Sequence, residues 1–378
     1  MKIGLITDSS LTVPGGVQEY VRGLHDSLRD RGEDVQIITC GPRGDEDKDR
    51  RVVPLGRTLE LSALHLSGAA SSMPVSWARP STIRRFLQAE RFDVLHYAAP
   101  MAMVGSEILR LSKTASPRTA NVLAFLIYSE TVTRPVRFAS RFYRSLDRFA
   151  DGKIAISKPA AEYAQEFYPG AYTIIPCGVD TARFSPQAGK IDAFADGKVN
   201  LLFAGRFDRR KNVLGMLEAY ARLKPKHPET RLIVVGDGPQ RADAHAFCEK
   251  ERMADVVFAG SVGAGDMPRY YNTCDIFCAP TIGRESFGVV LLEAMACSKP
   301  IAGYRNRGYH SVVEGSPLAS FLAEPMDAPG LQKVLENLIV DQPLRQRMGE
   351  EGLKMAREKY AWRTVSGQLL DYYRALAG

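Results

Sequence analysis

Two carboxylates, Glu285 and Glu293, stand eight positions apart in the segment ESFGVVLLEAMAC, with an apolar run between them. That run reads as a buried helix, and an ionised carboxylate in such surroundings is costly without a partner. Vicinal hydroxyls of a sugar or ribose would supply one, and they suit a carboxylate better than a phosphate does. If the helix began at Glu285, eight residues would span a little over two turns and bring both acids to roughly one side. The glycine at 288 fits better with Glu285 in the loop before the helix, where the backbone can approach a ligand. About eighty residues earlier, AGRFDRRKN closes one apolar run and opens a helix near Asn212. Arg206 and Lys211 there put a guanidinium and an ammonium beside a helix N-terminus, a clamp suited to a diphosphate. A third element, Pro14-Gly15-Gly16-Val17-Gln18, follows the first apolar run. Backbone amides and the positive end of a helix would let an anionic group approach there. Each element also has an ordinary reading, as a glycine turn, a solvated basic turn or a pair of surface glutamates.

Such residues need rigid elements to hold them, and the chain repeats one grammar: short apolar run, glycine-rich turn, amphipathic helix. Lys2–Thr7 reads as a buried strand, and residues 17–31 as a helix with Val17, Tyr20, Val21, Leu24 and Leu28 on one face, stopped by Gly32. Further strands are predicted at 35–39, 93–96, 122–127 and 153–156, with a basic helix around 83–89 and a helix capped by Ser157. After residues 172–175 the link PCGVDTARFSP and a polar stretch to Lys198 mark a boundary. The same grammar then restarts at Val199–Ala204 and continues with strands at 231–235, 256–259, 275–279 and 300–302. Alternating strands and helices point to parallel sheets wrapped by helices, hence to two Rossmann-like halves. The segment 365–376 is an amphipathic last helix. Arg206 and Lys211 then fall at the carboxyl edge of a sheet, where open α/β folds bind ligands. Neither half has the dinucleotide fingerprint after its first strand, which disfavours a dehydrogenase.

Taken together, GGVQEYV near the start, IPCGVDTARF at the link, GRFDRRKN and ESFGVVLLEAMAC resemble the GT-B glycosyltransferases of family 4, in that family's order and over nearly the whole chain. Within it, GGVQ, RFDVLHYAAP, GRFD-RRK and ESFGVVLLEAMA look most like the phosphatidylinositol mannosyltransferases of actinobacteria. The resemblance implies two Rossmann-like domains facing across a cleft: 1–178 binding the acceptor and 179–356 the nucleotide sugar, with 357–378 returning as a helix onto the first. It implies that Gly15 and Gly16 approach the donor diphosphate, which Arg206 and Lys211 neutralise, and that Glu293 holds the ribose hydroxyls. Glu285, with the backbone at Phe287, Gly288 and Val289, would hold the transferred hexose. Val262 and its neighbours Gly260 and Ser261 would meet the base, and Gln18, Arg84 and Arg85 the acceptor. Members of the family commonly carry a histidine just after the strand at 122–125. Here the stretch reads AFLIYSE, with Leu126 or Ile127 in that place and Tyr128, Ser129 and Glu130 beside it.

The implied reaction is transfer of a hexose from GDP-mannose or a UDP-hexose, with retention, to a lipid at the inner face of the cell membrane. A soluble or carrier-linked acceptor, or a silent nucleotide-sugar-binding protein, shares the same residues. No cofactor is obligatory; a divalent metal is allowed but not implied. The six cysteines have no zinc-like spacing and read as reduced, with Cys274 and Cys278 as small core residues. With no apolar run of about 18–20 residues and no signal-like leader, a cytoplasmic, peripheral protein is expected. The formal charge of +7 is too diffuse for a nucleic-acid binder. It has a location, however: residues 57–153 hold fourteen basic and seven acidic side chains, which accounts for the whole excess. Arginines alternate with aromatics at Arg84-Arg85-Phe86 and from Arg137 to Arg144. That pattern suits either a solvated helix face or an anionic bilayer, and the resemblance favours the bilayer.

Overall fold

Apolar runs buried on both faces make central parallel strands, and both halves of the chain are built from them. The computed structural model describes residues 1–8, 10–12, 15–41, 47–61, 73–100, 103–130 and 134–377. Two compact units divide the chain, one made of residues 1–178 with the terminal helix, the other of residues 179–361.

The first unit runs β1 (Lys2–Thr7), α1 (Gly16–Arg29), β2 (Asp34–Thr39), β3 (Val52–Pro54), β4 (Arg57–Leu61), β5 (Met73–Trp77), α2 (Pro80–Glu90), β6 (Val94–Ala98) and α3 (Met103–Ala115). It continues through β7 (Ala120–Phe125), α4 (Arg134–Leu146), β8 (Gly152–Ala155), α5 (Lys158–Ala164) and β9 (Thr173–Ile174). Seven strands pair in the order β3-β2-β1-β6-β7-β8-β9, all in parallel, while β4 and β5 form a separate antiparallel pair that interrupts the expected alternation. The chain leaves β1 in one direction for β2 and returns on its other side as β6, so the topological switch lies between the ends of β1 and β6. Ser157 caps α5 as expected, its side chain accepting from Ala160 N.

The second unit contains β10 (Val199–Ala204), α6 (Val213–Leu223), β11 (Thr230–Val235), α7 (Arg241–Lys250), β12 (Val256–Gly260), α8 (Met267–Thr273), β13 (Ile276–Ala279) and α9 (Val289–Ala296). Then come β14 (Ile301–Tyr304), α10 (Arg307–Val313), β15 (Leu322–Ala323), α11 (Ala328–Val340) and α12 (Gln342–Glu358). Its six-stranded sheet has the order β12-β11-β10-β13-β14-β15, again parallel, with the switch between β10 and β13. Leu201, Phe203, Met216, Leu217, Leu232, Val234, Ile276 and Cys278 are buried together on the side that α6 and α11 cover. All six cysteines are free, and Cys274 and Cys278 lie in the core.

The last helix, α13 (Trp362–Ala377), begins later than the 357 expected, because α12 runs to Glu358 and a short turn follows. It packs on α1 in the first unit, burying Val365, Leu369, Leu370 and Tyr373. Gly23 and Gly178 make room for the Trp362 indole: a Cβ on either would lie 2.1 or 2.3 Å from it. Beneath the helix, the Tyr373 hydroxyl meets His96 Nδ1 at 2.7 Å, and Tyr20 meets Nε2 at 3.3 Å. No helix among the described residues is long and apolar enough to cross a membrane.

Candidate active site

At the switch point of the second sheet, the chain after β10 is wound around two anchors. Phe207 is buried, its N–H donates to Asp237 O and its carbonyl accepts from Gln240 N, both at 2.9 Å. Asp208 Oδ1 accepts from Lys211 N at 2.8 Å. Gly236, at φ +130°, lets the neighbouring loop pass against Gly205, where a Cβ would stand 1.9 Å from the Gly205 carbonyl oxygen. The residues left to project are the basic ones. Arg206 is exposed and makes no ion pair among the described residues, whereas Lys211 is 13% exposed.

The chain after β13 brings the partner. Ile282 N donates to Arg210 O at 3.0 Å, which ties the two loops at the main chain. Three residues on, Glu285 receives both Lys211 Nζ at 2.7 Å and Arg210 Nη1 at 3.1 Å, and both on the same oxygen, Oε2. Oε1 has no partner among the described residues, and the side chain retains 14% exposure. Burial alone would push the carboxyl up, but Lys211 and then Arg210 outweigh it and hold Glu285 below the ordinary glutamate value. The converse holds for Lys211: burial would lower its ammonium, and Glu285 raises it above the usual lysine value. Both groups are therefore charged near neutral pH. A carboxylate held below its ordinary value is a poorer general base and a good fixed acceptor, so its free oxygen suits a ligand hydroxyl.

Glu285 stands in the loop, and α9 begins after it, with Gly288 at φ +109° as its N-cap. That loop is seated on α10. Asn306 caps α10 through Tyr309 N at 2.9 Å and donates to Thr281 O at 3.0 Å, while Thr281 Oγ1 meets the Tyr309 hydroxyl at 2.9 Å. A Cβ on Gly308 would lie 2.2 Å from the Glu285 carbonyl oxygen, and one on Gly288 would lie 2.5 Å from the Tyr309 ring. Phe287 points inward against Tyr360, with ring centroids 5.8 Å apart, which leaves its backbone and that of Gly288 and Val289 as the parts that could meet a ligand.

Glu293 corrects one step of the sequence argument. It is only partly buried, and the Tyr271 hydroxyl donates to its Oε2 at 2.7 Å. The protein itself thus supplies a hydroxyl partner, and burial in an apolar helix is no argument for a ligand there. Val262 is half-buried in the loop that follows β12, which turns at Gly260 (φ +68°) and is pinned where Arg183 Nη2 donates to Ala264 O at 2.6 Å.

In the first unit, Gly15 is the N-cap of α1 in extended conformation, and its lack of a side chain clears Gln18, whose Oε1 would be 2.6 Å from a Cβ. Among the described residues, its chain neighbours and own helix backbone aside, no atom lies within 4 Å of a Cβ built on Gly16. Gln18 is 7% exposed and donates to Ser10 O at 3.0 Å, so its side chain braces the loop that carries the two glycines. Arg84 and Arg85 are exposed on α2, opposite the buried Ile83 and Leu87. Beyond β7, at the positions where the resemblance implies a histidine in the family, Leu126 is buried and Ile127 is 44% exposed. Sequence reasoning missed Arg210, Tyr271, Thr281, Asn306 and Gly308. The basic run RRK was the signal for Arg210; the others depend on elements distant in sequence.

A family model described as Glycosyltransferase Family 4 matches residues 14–183, and one described as Glycosyl transferases group 1 matches residues 187–355. The chain is 28% identical to a phosphatidyl-myo-inositol mannosyltransferase of Mycobacterium tuberculosis, over 100% of this chain and 98% of that protein. It is 24% identical to a GDP-mannose-dependent alpha-(1-6)-phosphatidylinositol monomannoside mannosyltransferase of Mycolicibacterium smegmatis, over 97% of each. In fold it is similar to Anabaena Alr3699/HepE, solved with UDP and glucose, at a TM-score of 0.72 and 18% identity, covering 99% of this chain and 100% of that one. This likeness identifies the fold as GT-B.

Proposed function

We propose, for a chain that belongs to glycosyltransferase family 4 and its retaining hexosyltransferases, that it moves mannose from GDP-mannose to an anionic lipid acceptor at a membrane surface. The observation that carries the proposal is the Glu285 carboxylate, gripped on one oxygen by Lys211 and Arg210 and with the other oxygen unpartnered among the described residues. The free Oε1 accepts from a hydroxyl of the transferred hexose. Arg206, which has no ion pair among the described residues, and Lys211 meet the diphosphate. The leaving group gains charge as the glycosidic bond breaks, and preorganised cations beside a helix N-terminus stabilise that charge more in the transition state than in the ground state.

Gly15 and Gly16 give the diphosphate a close backbone approach at the start of α1. Glu293, oriented by Tyr271, accepts from the ribose, and the backbone around Val262 meets the base. Retention follows from departure of the diphosphate and entry of the acceptor on the same face of the sugar, with the leaving phosphate taking the acceptor's proton. For the acceptor side, the support is the exposed Arg84 and Arg85 on α2 and, on α4, the exposed Arg137, Arg141 and Arg144 with the 56% exposed Phe142 in the same helix. Cations interleaved with an aromatic suit the interface of an anionic bilayer.

The test is a screen of GDP- and UDP-sugars for hydrolysis and for transfer onto extracted lipids, read by mass spectrometry. Mannosylated anionic lipid made from GDP-mannose is expected, and Glu285→Ala, Arg206→Ala and Lys211→Ala should each abolish it while leaving the protein folded. Full activity in any of these purified variants overturns that residue's role. Flotation with vesicles that contain or lack anionic lipid checks the surface: the protein should float only with the anionic ones. Transfer to a water-soluble acceptor by protein that stays in the bulk overturns the lipid part, and nucleotide binding with no turnover overturns the enzyme.

A further inference from the structure

We infer that Arg210 is a positioning residue, which holds the Glu285 carboxylate in place when Lys211 turns to the donor's diphosphate. The inference rests on the donor reading above. It starts from a conflict in the site, where one ammonium has two duties. Lys211 Nζ sits 2.7 Å from Glu285 Oε2, yet a diphosphate carries more charge than a carboxylate and draws the same cation. A lysine can make that exchange, being a compact charge on a flexible stem with three rotatable donors. Glu285, with a side chain 14% exposed, cannot easily lose its counter-ion, since a carboxylate that far from water takes up a proton instead.

Arg210 is built to stay. Its carbonyl accepts from Ile282 N at 3.0 Å while its guanidinium reaches Glu285 at 3.1 Å, so one residue straps the β10 loop to the β13 loop at two points. A planar guanidinium loses less freedom per bond than an ammonium, and here it shares Oε2 without covering Oε1. From α10, Tyr309 faces the same cluster, but burial raises its phenol, which stays neutral and supplies no charge. With Lys211 on the diphosphate, Arg210 is the cation left on Glu285 among the residues that pair with it here. Without it the carboxyl would turn neutral and its acceptor oxygen would lose its aim.

The experiment uses the full chain with GDP and UDP as probes. Calorimetry near pH 5.5, in buffers of different ionisation enthalpy, counts the protons taken up on binding. The Arg210→Ala variant should take up close to one proton more than the wild type, and Arg210→Lys should bring the count back. In turnover, Arg210→Ala should lower kcat by about tenfold or more with KM for the donor within about threefold. Should Arg210→Ala fail to fold, Arg210→Gln, of similar reach and without charge, decides in the same way. Equal proton counts in wild type and the uncharged variant, or a loss wholly in KM, overturn the inference and leave the donor reading standing. A wild type that binds neither nucleotide overturns both.

Discussion

Gly308→Ala tests whether the loop that carries Glu285 owes its place to α10. Gly308 lies in the first turn of that helix, and its φ is outside the left-handed region, so alanine meets no backbone strain there. The conflict is spatial. A Cβ would stand 2.2 Å from the Glu285 carbonyl oxygen and 2.9 Å from Phe287 N, and real Cβ atoms do not come within 3.0 Å of such neighbours, so the Glu285 backbone must retreat by about 0.8 Å. Overpacking of this kind costs about 1–3 kcal/mol, while replacing glycine in a helix returns up to about 1 kcal/mol. With that return in full the net loss is about 0–2 kcal/mol, at its upper end a Tm fall of roughly 4–8 °C for a unit of this size. The effect on transfer is larger, because a displacement near 1 Å at a reacting centre costs about a hundredfold. Melting curves and kcat/KM at 25 °C, measured on the same preparations, separate the two. A folded Gly308→Ala protein that transfers within threefold of the wild-type rate would refute the reasoning, since the loop would then be held by something other than its contact with α10.

Tyr271→Phe removes the hydroxyl that donates to Glu293 Oε2 at 2.7 Å. A loss of about 1–3 kcal/mol in stability and a weaker nucleotide affinity are expected; melting and calorimetry with GDP and UDP check them, and an unchanged affinity would remove Glu293 from the ribose site. His96, enclosed between Tyr20 and Tyr373, is pushed down to about 3 by burial. The unfolded chain binds a proton near pH 6.5 and the folded one does not, so this histidine's contribution is whole above pH 6.5 and is lost progressively as pH falls toward 3. Between pH 7 and pH 5 that amounts to about 2 kcal/mol, and a His96→Gln protein should lose about 4–8 °C less in Tm than the wild type over that interval. Parallel melting curves for the two proteins would show that His96 is not buried neutral.

What the sequence disclosed and what it hid divide along a physical line. Interactions that are local in the chain were readable: the apolar runs that became β1 and β10, the Ser157 cap, and Glu285 in a loop rather than in a helix, since Gly288 at φ +109° must end the loop and start α9. Parallel strands favour such reading because burial on both faces leaves an unbroken apolar signature.

The rest depends on which strands lie side by side. Arg210 reaches Glu285 because β13 pairs with β10 although β11 and β12 intervene in the chain, and no spacing in the sequence reports that pairing. Tyr271 answers Glu293 from α8, so a carboxylate that looked orphaned in one segment is satisfied from another. Gly308 is needed only because α10 passes against the Glu285 backbone. The consequence bears on the chemistry itself. Local reading assigned Lys211, Glu285 and Glu293 a ligand each, whereas the fold first pairs Lys211 with Glu285 and Glu293 with Tyr271. If the donor binds as proposed, its diphosphate competes with Glu285 for Lys211, and the ion cluster is then a threshold that a diphosphate crosses more readily than a singly charged anion does.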